Sequence, residues 1–120
     1  MSHLQIGEVA KRTELSINTI RHYDEAGLVT PSARSAGGFR LYTDADVDRL
    51  LVIRRMKPLG FTLEEMGELL AAIDDPSSTA LVAAFHERAQ RSCEKLRIQL
   101  AYAEELTALL ASRTVSSGTG

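Results

Sequence analysis

The stretch from Val9 to Tyr23, VAKRTELSINTIRHY, limits the possible folds more than any other part of the chain. Small apolar Val9 and Ala10 close a short amphipathic segment, a polar break follows at Thr13-Glu14, and Leu15 leads into Ser16. A serine there can cap a new helix, because its hydroxyl accepts a backbone N–H that the first turn leaves unpaired. Ile20 then turns the second helix back onto the first. Two short helices joined so tightly make a helix-turn-helix, whose second helix offers a polar face of the kind that enters the major groove of duplex DNA. In this chain that face carries Asn18, Thr19, Arg21, His22 and Tyr23. Any helical hairpin has apolar residues at such spacings, so the rest of the chain must decide.

With 120 residues there is room for one modest domain and an appendage. Hydrophobic residues at 44% and charged residues at 25% describe a folded, soluble chain. No apolar run approaches the ~20 residues that span a bilayer. The first residues, MSHLQIGEVAK, lack the basic and apolar regions of a signal peptide. A single cysteine makes no internal disulfide, and the expected location is cytoplasmic. The net charge of −2 is unevenly spread: residues 1–60 carry nine Lys/Arg against seven Asp/Glu, and residues 61–120 five against nine. The front half is the more basic, as expected if it alone meets phosphate, although a solvated face accounts for the asymmetry nearly as well.

In chain order, Leu4, Ile6, Val9 and Ala10 fall on one helical face, which predicts a first helix from about Gln5 to Thr13. The second helix should run from Ser16 to about Ala26, with Gly27 as its terminator. Pro31 blocks a helix, Gly37-Gly38 supply a turn, and Phe39 and Leu41 alternate with Arg40 and Tyr42 at the period of a short strand. These features predict a β-hairpin whose loop displays Arg34 and whose return strand displays Arg40. It is either a surface hairpin with scattered charge or a wing that lays arginines on a DNA backbone or in the minor groove. Thr43 and Asp46 are a capping signature for a third helix, Asp44 to about Lys57, whose basic end (Arg54, Arg55, Lys57) complements the helix dipole. Pro58 should stop or kink that helix. Thr62 with Glu65 opens a fourth helix bearing Leu63, Met66, Leu69, Leu70 and Ile73, and residues 74–78 read as a linker.

From Thr79 to about Ser112 there is no Gly or Pro. A helix of that length would extend about 50 Å, too long a stripe for so small a monomer to bury. Ala89, Cys93, Leu96, Leu100, Ala103 and Leu110 keep heptad spacing, interrupted by Thr107, and such a seam is best buried against a second copy. The alternative is a helix folded back on its own domain. The division expected is 1–75, 76–113 and a disordered tail, 114–120. Cys93 suits burial as a small hydrophobe. In an antiparallel pair crossing near the helix midpoint, it would also lie within about 6 to 8 Å of its mate along the axis. His86 is two turns before Cys93, too far to share a metal, and no metal, cofactor or enzyme motif is expected.

The order IGEVAKRT…SINTIRHYDEAGLVTP…GGFRLYTDADVDRL…IRRMKPLGFTLEEM resembles the DNA-binding domain of the MerR family of bacterial transcription regulators, over roughly residues 4–73. The final long helix is similar to the family's antiparallel dimerisation helix. The resemblance implies a mainly α fold, a winged helix-turn-helix followed by a long dimerisation helix in an antiparallel coiled coil. It implies a homodimer on double-stranded promoter DNA beside RNA polymerase, acting by bending and untwisting the promoter spacer. Arg21, His22 and Tyr23 match the family segment that faces DNA, and Arg40 and Tyr42 match the wing strand that grips its backbone. The chain departs from the family at Glu14, where many members have Gly, and at Pro58. No cysteine follows the last helix and no further domain does, so a short member without an effector-binding domain is expected. An architectural factor of the excisionase type, or a sequestering partner of a full-length regulator, are the rival readings.

Overall fold

Residues 3–30 and 33–119 are described by a computed structural model. Along them run β1 (Leu4–Gln5), α1 (Ile6–Thr13), α2 (Ile17–Glu25), β2 (Ala33–Arg34), β3 (Arg40–Tyr42), α3 (Asp44–Met56), a 3-10 turn (Lys57–Leu59), α4 (Leu63–Ile73) and α5 (Thr79–Thr119). The chain divides into two compact units, Met1–Val82 and Ala83–Gly120, so the first unit extends beyond the expected boundary at residue 75 into the opening turn of α5.

In the first unit the sequence signals act locally. The Ser16 hydroxyl accepts the Thr19 N–H at 3.1 Å and opens α2, while Gly27, at φ 81°, turns the chain away after Ala26. Reciprocal capping boxes open α3 (Thr43 with Asp46) and α4 (Thr62 with Glu65). Pro58 lies in the 3-10 turn that follows α3, where its missing N–H costs no helical bond, and Gly60 at φ 81° ends that turn. The core gathers Val9 of α1, Ile20 and Tyr23 of α2, Leu28 and Val29 beyond it, Tyr42 of β3, Val47, Leu50, Ile53 and Met56 of α3, and Met66 and Leu70 of α4.

The turn between α1 and α2 is held from three sides. Glu14 adopts the left-handed conformation, φ 58°. The fully buried Thr13 donates its hydroxyl to the Val9 carbonyl at 2.8 Å and accepts from the Leu15 N–H at 3.3 Å. Arg54 of α3 donates to the Thr13 carbonyl at 2.5 Å. Arg54 is therefore more than a cation at a helix end: it ties α3 to the turn that orients α2.

Several expectations are corrected. Leu4 and Gln5 are not helical; they form a strand, giving a three-stranded antiparallel sheet in the order β1-β3-β2. Leu4 pairs with Tyr42 and Gln5 with Leu41, while Ala33 pairs with Leu41 and Arg34 with Arg40. Ile73, placed on the apolar stripe of α4, is 54% exposed, and Ala72 is buried instead. The last helix continues to Thr119, through most of the residues expected to be a disordered tail.

In the second unit α5 leaves a long apolar surface open. Leu96, Ile98, Leu100, Tyr102, Leu106, Leu109 and Leu110 are all exposed. Ala103 is exposed as well, and Ala89 and Cys93 are half-buried. Among the described residues no helix is long and apolar enough to cross a membrane.

Candidate nucleic-acid interface

The polar face of α2 follows helical spacing: Asn18, Arg21, His22 and Glu25 are exposed, while Ile20 and Tyr23 point into the core. Thr19 is half-buried, its hydroxyl 2.8 Å from that of Ser16, so part of its bonding capacity serves the cap. The expectation that Tyr23 lies on the polar face is corrected. Its ring is only 3% exposed, because position 23 falls three residues after Ile20 on the core stripe. The His22 ring lies 6.0 Å from that of Tyr23 and stays in solvent.

The wing supplies the second group. Ser35 closes its turn by donating its N–H to the Phe39 carbonyl at 2.8 Å and accepting the Gly38 N–H at 2.9 Å, with Gly38 at φ 83°. Strand alternation then places the residues of β3 oppositely to what hydrophobicity suggests. Phe39, just before the strand, is 72% exposed, whereas Tyr42 is fully buried. The expectation of Tyr42 as a surface group is therefore also corrected: its ring is core, and its hydroxyl donates to Asp24 Oδ2 at 2.9 Å. Burial, together with the Asp24 carboxylate, pushes the Tyr42 phenol up to about 12. The side chain of Arg34 lies outside the described residues.

The two groups meet at one open cleft of about 310 Å³ lined by Gln5, Ile6, Gly7, Arg21, Gly38, Phe39 and Arg40. It brings an arginine of the second helix and an arginine of the wing to a common surface beside the first turn of α1, whose N–H groups carry partial positive charge. Phe39 is the functional candidate that sequence reasoning missed. Its exposure depends on strand register, which the local pattern does not reveal. Arg40 is also within 3.5 Å of Asp24 Oδ2. Among the described residues no group of three or more His, Cys, Asp or Glu is placed to hold a metal ion.

Residues 4–73 match the model of the MerR HTH family regulatory proteins, and residues 47–112 that of the MerR, DNA binding family. The chain belongs to the MerR family. It is 45% identical over 73 residues to the HTH-type transcriptional regulator CueR of Salmonella typhi, an alignment covering 61% of this chain and 53% of that protein. It thus spans about half the length of that MerR relative. The N-terminal part of MtaN, the Bacillus subtilis multidrug transporter activator, is 35% identical with a TM-score of 0.60, covering 93% of this chain and 97% of that one. HiNmlR, a MerR regulator solved on promoter DNA, has a TM-score of 0.72 at 22% identity over 92% and 89% of the two chains, a likeness of fold.

Proposed function

We propose that this chain is a sequence-specific regulator of transcription that binds a promoter operator as a homodimer, in the cytoplasm, and bends and untwists the promoter spacer so that the two elements RNA polymerase recognises realign. The observation that carries the reading is the convergence of Arg21 and Arg40 on one open cleft next to the exposed face of Asn18 and His22. Arg21, His22 and Asn18 supply donors for base edges, with Thr19 at the margin. Arg40, and Arg34 from the opposite strand of the wing, supply charge for phosphate, and Phe39 supplies an apolar face for sugar and backbone. Tyr23 and Tyr42 act from beneath, as the core on which helix and wing rest. Ala89, Cys93, Leu96, Leu100, Ala103 and Leu110 form the seam with a second copy, which gives the dimer two such clefts. Clamping phosphate on both sides of a centre offsets the cost of deforming it.

The test is a footprint of the purified chain on DNA upstream of its own coding region at two salt concentrations. A symmetric footprint between promoter elements, with a hypersensitive centre, is expected. Extended, unlocalised protection would favour an architectural factor, and no protection at either salt would favour a sequestering partner. As a residue-level check, Arg40→Ala should weaken binding to all sequences alike and lower the salt slope by about one unit. Parallel salt curves for variant and parent would remove Arg40 from the phosphate contacts.

A further inference from the structure

Asp24 belongs to α2 yet faces the wing, and its side chain is 10% exposed. One carboxylate oxygen serves two residues of β3, accepting the Tyr42 hydroxyl at 2.9 Å and lying 3.5 Å from an Arg40 guanidinium nitrogen. Arg40 and Tyr42 are two apart on the strand and therefore share a face. Asp24 in turn is one helical turn beyond Arg21. The carboxylate is thus the polar connection from the helix that carries one cleft arginine to the strand that carries the other.

Arg40 is 31% exposed: one guanidinium nitrogen lies beside Asp24, and the residue also lines the cleft. A guanidinium restrained by a carboxylate at one nitrogen has fewer orientations to lose, which lowers the ordering cost of a second contact through its other donors.

We infer that Asp24 is a positioning residue for DNA recognition, fixing the Arg40 guanidinium and the wing relative to Arg21 so that both arginines engage one stretch of backbone. Asp24 does not touch DNA itself; it acts through Arg40. The inference rests on the DNA-binding reading above and deepens it. A carboxylate that merely competed with phosphate for Arg40 would have the opposite effect on affinity, so the two roles separate by sign.

The experiment is a double-mutant cycle on the full chain, with Asp24→Asn, Arg40→Ala and the pair, plus Tyr42→Phe alone and with Arg40→Ala. Each variant is first confirmed as folded by circular dichroism. The probes are a duplex recovered from a randomised pool by the unaltered chain and a mixed-sequence duplex of equal length, each titrated at several salt concentrations. Asp24→Asn retains an acceptor for Tyr42 but loses the charge that holds Arg40. It should weaken binding to the recovered duplex about tenfold and lower the salt slope as Arg40→Ala does, and both effects should vanish in the Arg40→Ala background. If Asp24→Asn does not fold, Tyr42→Phe carries the test, with a smaller loss that likewise disappears without Arg40. Tighter binding by Asp24→Asn, or an equal loss with and without Arg40, would overturn the inference while leaving DNA binding intact. If the unaltered chain recovers no duplex and binds the mixed sequence at no salt concentration, the DNA reading fails and the role of Asp24 falls with it.

Discussion

Glu14 holds a left-handed backbone at φ 58°, a conformation that favours glycine, and its side chain gives little in return. Its carboxylate is 3.8 Å from Arg54 but 85% exposed, so the pair contributes little against solvent. Glu14→Gly should therefore raise the unfolding free energy by about 1 kcal/mol, measured by urea denaturation. An unchanged or lower midpoint would show that the Arg54 pair matters more than the backbone. Tyr42 gives a prediction of a different kind. Its phenol is raised to about 12 by burial and then by Asp24, whereas an unfolded tyrosine titrates near 10. Since the folded value is the higher, the neutral ring's contribution is complete below about pH 10 and is lost as the pH rises towards 12. The urea midpoint of the parent should fall more steeply between about pH 10 and about pH 12 than that of Tyr42→Phe. Parallel declines would mean that the phenol does not ionise from the folded chain.

Helices whose signals are local were legible in the sequence. Thr43 with Asp46 and Thr62 with Glu65 announce α3 and α4 because a capping box is completed within four residues, and the observed helices begin where those boxes place them. Thr43→Ala and Thr62→Ala should each cost about 1 kcal/mol in thermal or urea unfolding, and a cost near zero for both would show that packing alone sets those starts. What depends on partners distant in sequence was not legible. A two-residue strand such as β1 has no periodicity, and it exists only because residues near 41 and 42 come to pair with it. The same pairing decides that Tyr42 is buried and Phe39 exposed, the reverse of what side-chain hydrophobicity suggests. Of the interface, the exposed residues of α2 were readable from helical spacing and Tyr23 was misplaced. The ties that Arg54 makes to Thr13 and Asp24 makes to Tyr42 were not legible, since the partners are 41 and 18 residues away.

At the scale of the whole molecule, the exposed leucines of α5 are a liability for a free chain and an asset for a paired one. Leu96→Glu combined with Leu100→Glu should convert the chain to a monomer in sedimentation equilibrium. Its footprint should be lost, while residues 1–82 retain their helical signal. A dimer that persists would place the seam elsewhere. The order β1-β3-β2 has a practical corollary as well. Strand β1 is paired with β3 of the wing and joined directly to α1, so Leu4 sits beside the surface that would meet DNA. An affinity tag placed at the amino end is then a perturbation of the wing, and affinities measured with and without it describe two different molecules.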